Sequence, residues 1–261
     1  MNIRHYYEQS AIASIHAGLI AFIPAIALLL YIFLYSKRME LIILIIPFLL
    51  YSFSCYLKFL QNQKRAHTVE IDSIDEEETT NHGLLSDTTF LIALSPAPSL
   101  RLQLFYCNGV RAGELRDTSN SLVKWLIPKL LHTRMVRKYG LYDESDGLIA
   151  YYSLYRDQVE ICIDGDESKN LTYKGVRQKN IYQFQQQAYQ IEKDGIQDFS
   201  IILQSTKNKV GQIQTGWMPL EWHQRFIDAN TPIFRLHESL SKEERLQIFS
   251  ILILIYAYHN H

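Results

Sequence analysis

The pattern of apolar and polar positions changes character twice along the chain. From Ala11 to Tyr35 there are 25 consecutive residues without a charge, AIASIHAGLIAFIPAIALLLYIFLY. At 1.5 Å per residue that run makes about 37 Å of helix, enough to cross a hydrocarbon core of about 30 Å with some tilt. A second uncharged run, Leu41 to Leu57, follows after the link Ser36–Glu40. It reaches spanning length if Lys58 snorkels and the helix continues to Leu60. So short a link permits only an antiparallel return. Residues 1–68 are therefore predicted to form a transmembrane α-hairpin, with spans at 11–35 and 41–60. A cleaved signal peptide fits less well: the first run is too long, Arg4 is its only positive start, and a second span follows at once. Pro24 and Pro47 fall inside the predicted spans, where proline is tolerated and kinks the helix. His16 is the one ionisable side chain deep in a span and is expected to be neutral and bonded to the neighbouring helix.

Beyond the hairpin the pattern turns acidic and then alternating. Residues 69–88 hold Glu70, Asp72, Asp75, Glu76, Glu77, Glu78 and Asp87 with no Lys or Arg, and are expected to be an extended tether. They lack the alternating carboxylates of a calcium loop. Residues 89–261 read mainly as strands. LRLQLFY and VRAGELRD flank Asn108-Gly109, and a second hairpin at 136–156 turns near Asp146-Gly147. Further alternating segments are broken by Gly, Asp or Asn, and many of the chain's 17 tyrosines fit half-buried sheet surfaces. These hairpins predict an antiparallel β-barrel or sandwich. Ser119–Lys138 departs from the rhythm and reads as helical or irregular, interrupted at Pro128. Ser241-Lys-Glu-Glu244 is a capping box that opens a helix whose stretch 248–258 is apolar all round apart from Ser250. A helix oily on every side must be buried. From Leu246 to Tyr258 it is 13 residues, about 20 Å, short for a third span, so it is expected inside the barrel.

Charge divides the chain in the same way. The whole carries a net charge of −1, yet the first 68 residues have 6 basic and 2 acidic side chains, and the excess of acid lies beyond them. The overall mean hydropathy of −0.09 thus conceals an oily anchor. Arg4, Lys58, Lys64 and Arg65 flank the spans on the side of the termini, against Lys37 and Arg38 in the link. That asymmetry predicts a multi-pass protein of the cell membrane with both termini and the large domain cytoplasmic. Three dispersed cysteines, Cys55, Cys107 and Cys162, exclude a disulfide scaffold and fit a reducing compartment.

Candidate chemistry is sparse. Lys124, Lys129, Arg134, Arg137 and Lys138, with His132 among them, occur with no acid between Thr118 and Tyr142. Such a stretch can dock on anionic lipid at about 1 kcal/mol per side chain, with Trp125 and LIPKLL adding interfacial contact, or can be an ordinary solvated face. The domain carries too little excess positive charge for a nucleic-acid binder. Trp217, Trp222 and Phe226 are expected to close a core rather than stack a ligand. His259 and His261 lack a third metal ligand, so no metal or cofactor is expected. No nucleophile elbow, P-loop, zincin or dinucleotide motif is present, so no enzymatic activity is expected.

The hairpin Leu141-Tyr-Asp-Glu-Ser-Asp-Gly147 with Leu148-Ile-Ala150, followed by the oily helix Leu246–Tyr258, resembles the tubby C-terminal-like superfamily, which includes phospholipid scramblases and LURP-one-related proteins. Gly216-Trp-Met-Pro-Leu-Glu-Trp222 and Asn230-Thr-Pro-Ile-Phe234 are similar to the membrane-tethered branch of Gram-positive bacilli. The likeness covers residues 89–261 and implies a barrel of about a dozen strands enclosing a hydrophobic C-terminal helix. Tubby proteins bind phosphoinositide head groups through basic side chains, but none of those residues can be carried over individually. A lipid-moving activity does not transfer either, because the cysteine cluster of scramblases is missing. Two functions follow as expectations. In one, a non-enzymatic domain binds lipid head groups or another envelope protein. In the other, an immunity, stress-response or assembly component recognises a partner through its hairpin, and the barrel is structural.

Overall fold

The computed structural model of the chain describes residues 1–36, 39–69, 83–96, 99–118, 136–155, 157–163, 172–178, 180–185, 187–195, 197–216 and 218–259. It divides into two compact units, Asn2–Glu70 and Ile71–His261, the latter counted with Met1.

The first unit is an antiparallel helical hairpin. Helix α1 (Ile3–Tyr31) runs into a π-helical turn, Ile32–Ser36. A 3₁₀ segment, Met39–Ile45, leads into α2 (Ile46–Thr68). Pro47 therefore stands in the first turn of α2, where its missing N–H is no loss, and of the two only Pro24 lies inside a helix. The packed positions fall at alternating steps of three and four. On α1 they are Ala11, Ser14, Gly18, Ala21, Ala25, Leu28 and Ile32; on the return they are Leu41, Ile45, Phe48, Ser52, Cys55, Phe59, Asn62 and Ala66. That 3.5-residue period is the seam of a coiled coil. Its small members Ala11, Gly18 and Ala25 recur every seventh residue and let the backbones approach. At Gly18 a Cβ would lie 3.2 Å from the Cys55 Cβ and 3.4 Å from the Ser52 carbonyl oxygen. The other faces stay exposed and oily, with Ile23 65% and Leu34 68% accessible. His16 is exposed too and makes no bond to α2 among the described residues, which corrects the sequence expectation.

The second unit is a closed barrel of twelve antiparallel strands. In chain order they are β1 (Thr89–Leu94), β2 (Arg101–Phe105), β3 (Arg111–Asp117), β4 (Arg137–Asp143), β5 (Leu148–Leu154) and β6 (Gln158–Ile163). The second half is β7 (Thr172–Gln178), β8 (Ile181–Gln183), β9 (Ala188–Lys193), β10 (Phe199–Leu203), β11 (Asn208–Gln214) and β12 (Ile233–Leu236). Each strand pairs with the next, and β12 closes on β1 through Phe90↔Phe234, so no strand edge is left open. The turns carry the residues their geometry demands: Gly109 and Asp146 have φ of 83° and 64°. Asp143 Oδ1 accepts from the N–H groups of Ser145 and Gly147 and from the Ser145 hydroxyl, which fixes the second hairpin. Leu84, ahead of β1, is 3% exposed and packs in the barrel core, while residues 70–82 of the expected tether lie outside the described residues.

Helix α3 (Lys242–His259) fills the barrel. Ser241 N–H donates to Glu244 Oε2 at 2.7 Å and Glu244 N–H to Ser241 Oγ at 3.2 Å, the reciprocal cap expected from the sequence. From Leu246 to Ala257 every residue is buried. Phe249 meets Phe90 of β1 and Phe234 of β12, Gln247 meets Tyr189 of β9, and the helix also lies against β6, across the barrel from β12. Enclosure on all sides explains why this helix has no polar face. Phe226, in the long β11–β12 connection, is buried edge-on against Phe105, which lies on the opposite face of β2 from the core residues Leu102 and Leu104. Trp222 ends a 3₁₀ turn in that connection, and Trp217 lies outside the described residues.

Candidate functional site

Lys124, Lys129 and Arg134, with His132 and Trp125, lie outside the described residues, as does His261. Arg137 and Lys138 are not helical but open β4. A strand sends successive side chains to opposite faces. Tyr139 and Leu141 are core residues, so Arg137 shares the inward face, whereas Lys138 shares the outward face with Gly140 and Tyr142. The two adjacent cations therefore do not form one flat patch.

The barrel register assembles a different basic surface on that outward face. Arg101 of β2 lies opposite Arg116 of β3, Arg116 opposite Gly140 of β4, and Gly140 opposite Tyr151 of β5. Gly140 is the floor of this row: a Cβ there would come within 2.6 Å of the Tyr142 ring. The ring occupies that space, and the Arg116 guanidinium stacks on it at 3.8 Å from the centroid. Among the described residues this ring is Arg116's only side-chain partner, which leaves its planar N–H edge for an acceptor. Lys138 is exposed and without an ion-pair partner among the described residues. It sits opposite Ser153, one step along β4 from the residue before the glycine floor, and Tyr151 is 42% exposed nearby.

A neighbouring row is neutralised internally. Glu114, fully buried, accepts from Arg101 Nε at 2.6 Å and Nη2 at 3.1 Å, and from Arg111 Nη1 at 3.3 Å. Arg111 Nη2 continues to Asp146 Oδ1 at 2.9 Å and the Glu144 carbonyl at 3.0 Å, tying β3 to the β4–β5 turn. The bidentate bond to Glu114 holds the Arg101 guanidinium above its ordinary pKa, against the opposing effect of burial. Gln103, opposite Glu114, is 1% exposed and its amide has no protein partner among the described residues. Arg101 is thus spoken for, whereas Arg116 and Lys138 carry charge without a carboxylate among the described residues. No group of three or more His, Cys, Asp and Glu able to hold a metal occurs among the described residues.

Sequence reasoning passed over Arg116 because it sits in an ordinary alternating strand with Glu114 and Asp117 nearby. The one signal pointing to it was the small residue at 140 between two aromatic positions, Tyr139 and Tyr142.

Fold and site together define a class: an up-and-down antiparallel barrel of twelve strands enclosing its own C-terminal helix, preceded in the chain by an apolar helical hairpin. Beyond that class, no family model matches the chain, and neither the curated proteins nor the solved structures contain a match.

Proposed function

We propose that the chain is a membrane-anchored, non-enzymatic protein of the tubby-like kind whose barrel binds anionic lipid head groups. The carrying observation is the Arg116–Tyr142 stack over Gly140 with Lys138 on the same outward face, a pair of cations without carboxylate partners among the described residues. A guanidinium held flat on a ring loses little freedom when it takes a phosphate through its edge. The barrel of twelve strands around a C-terminal helix is the architecture the resemblance implies, which supports the family reading. Membrane anchoring is supported by two helices long and apolar enough to cross a bilayer, with only 22% and 17% of their most apolar windows buried. A core helix of a water-soluble domain would be mostly enclosed. The excess of Lys and Arg beside the termini favours a cytoplasmic barrel.

Vesicle capture tests the reading. The full chain, reconstituted in phosphatidylcholine vesicles, is expected to capture separate vesicles containing phosphatidylserine or a phosphoinositide and to ignore neutral ones. Arg116→Glu and Lys138→Glu each remove about 1 kcal/mol or more, roughly a fivefold loss of capture apiece. Gly140→Ala, by displacing the Tyr142 ring, weakens capture without changing the charge. Capture that ignores all three substitutions overturns the lipid reading. Binding of an envelope protein to the same face in neutral vesicles would assign the surface to a protein partner instead. If replacing the hairpin by an unrelated two-span anchor abolishes function in the cell while capture survives, recognition belongs to the hairpin.

A further inference from the structure

The hairpin is longer than the bilayer it is proposed to cross. We infer that the hydrocarbon layer covers only Leu19–Tyr35 and Leu41–Leu57, that His16 and Lys58 lie in the head-group layer, and that the remainder is a water-exposed coiled-coil stem. The inference rests on the membrane-anchor reading above. Its basis is the change of exposed side chains along both helices. On α1 the outward positions run His5, Gln9, Ile12 and His16, and then only apolar residues, among them Leu19, Ile20, Ile23, Ile26 and Leu30. Beyond Glu40, on the 3₁₀ segment and α2, they are apolar through Phe53, among them Ile43 and Leu50, and then include Ser54, Tyr56, Leu57, Lys58, Leu60, Gln61 and Lys64. From Tyr35 to Leu19 is about 24 Å of helix at 1.5 Å per residue, and His16 follows at about 28 Å. From Leu41 to Lys58, through 3₁₀ geometry and then α, is about 27 Å. Two helices of different sequence thus mark a band of the same thickness, close to that of a hydrocarbon core.

Beyond the band, α1 extends from Ile3 and α2 to Thr68, about 15–20 Å of additional helix pair. The seam does not stop at the boundary. Asn62 and Ala66 keep the three-and-four spacing, and the Arg65 guanidinium lies 5.9 Å from the centre of the Tyr7 ring. A polar Asn at a seam position fits a stem in water better than one in hydrocarbon, where its amide would be costly to bury. The stem's surface is polar apart from Ile12 and Leu60, with Arg4 bonded to Glu8 at 3.2 Å and Gln9 within 3.0 Å of His5. This placement also accounts for His16, which is exposed and makes no bond to α2 because water and head groups surround it.

Single cysteines in the full chain test the frame, with the chain held in open membrane fragments so that a polar maleimide reaches both faces. Peptide mass mapping separates the introduced thiols from the natural ones. Gln9→Cys, Ile12→Cys and Leu60→Cys are expected to label, whereas Ile20→Cys, Ile23→Cys and Leu50→Cys label only after detergent is added. Loss of labelling at positions 12 and 60, with 20, 23 and 50 also protected, overturns the frame and leaves the anchor intact. Labelling at 20, 23 and 50 without detergent overturns the anchor itself.

Discussion

Helices α1 and α3 are built from nearly the same residues and live in opposite surroundings. Ile251, Leu252 and Ile253 of α3 have no accessible surface, whereas Ile20, Ile23 and Leu30 of α1 are more than half exposed. Hydropathy cannot tell them apart; length and the distribution of small residues can. The oily stretch of α3 is short, carries large side chains all round and starts from an ion-assisted cap, so protein has to surround it on every side. Helix α1 is long and has small residues along one seam only, so it seats a single partner helix and leaves its remaining apolar faces exposed.

The strongest way to break this comparison is to place the same charge in both helices. Ile251→Asp buries an unpaired carboxylate inside the barrel, which costs several kcal/mol against a total domain stability of roughly 5–15 kcal/mol. The expected result is loss of the barrel's cooperative melt and of its aromatic near-ultraviolet circular dichroism. Ile23→Asp is expected to leave that melt in place and to cost about 3 kcal/mol of membrane insertion, read as chain released by carbonate extraction. A barrel that survives Ile251→Asp would mean that α3 is not enclosed.

Backbone proximity supplies the next test, one glycine in each unit. A Cβ at Gly113 would stand 2.5 Å from the Tyr142 carbonyl oxygen and 2.8 Å from a Leu84 methyl. A carbonyl in a paired strand cannot swing aside, so Gly113→Ala is expected to cost about 1–3 kcal/mol and to lower the thermal midpoint of the barrel. Gly18→Leu, at the Cys55 and Ser52 contact, is expected to part the hairpin helices at a similar cost, of order 1–3 kcal/mol. Its readout is the Cys55 thiol, 6% exposed here, which becomes reactive to maleimide in detergent while the barrel midpoint stays put. If both substitutions shift the same transition, the two units unfold as one.

How far the sequence carried differed between the units for physical reasons. Uncharged run length announces two long apolar helices directly, because the number of apolar residues sets whether a helix is long enough to span a bilayer. Their seam was hidden, since Ala11, Gly18 and Ala25 stand among residues equally apolar and differ only in size. In the barrel, Asn108-Gly109 and Asp146-Gly147 marked local turns, because turn geometry restricts residue type. The β1–β12 closure was beyond sequence patterning: Phe90 and Phe234 pair across most of the domain, and no local signal encodes that register. The site was less legible still. Arg116 reaches Tyr142 because the β3–β4 register sets it opposite Gly140, over which the ring lies. The run of basic residues that looked most like a site yields only Arg137 and Lys138 in a described strand, on opposite faces.

The two helices also begin differently, and acid should separate them. Helix α1 is capped by the neutral Asn2, whose Oδ1 accepts the His5 N–H at 3.0 Å. Helix α3 is capped through Glu244. Burial pushes that carboxyl upward, but the Ser241 N–H, the Gln187 amide and the Ser241 hydroxyl outweigh burial and hold its pKa below the ordinary value. A carboxylate lowered in the folded state is protonated more readily in the unfolded chain. Its contribution is therefore complete above the unfolded pKa of about 4.3 and disappears as pH falls through the lower folded value. A capping interaction is worth about 1 kcal/mol, so the effect is small and best read as a difference. Glu244→Gln keeps a side chain able to bond back to Ser241 while removing the charge. The thermal midpoints of the natural chain and this variant are expected to differ by a few degrees at neutral pH and to converge as pH drops below about 4. Asp194, lowered by the Ser200 hydroxyl and Lys209, titrates in the same direction in both proteins and cancels from the difference. A gap that stays constant down to acid pH would show that the Glu244 charge contributes nothing to the cap. The helix inside the barrel would then start, like α1, from neutral hydrogen bonds alone.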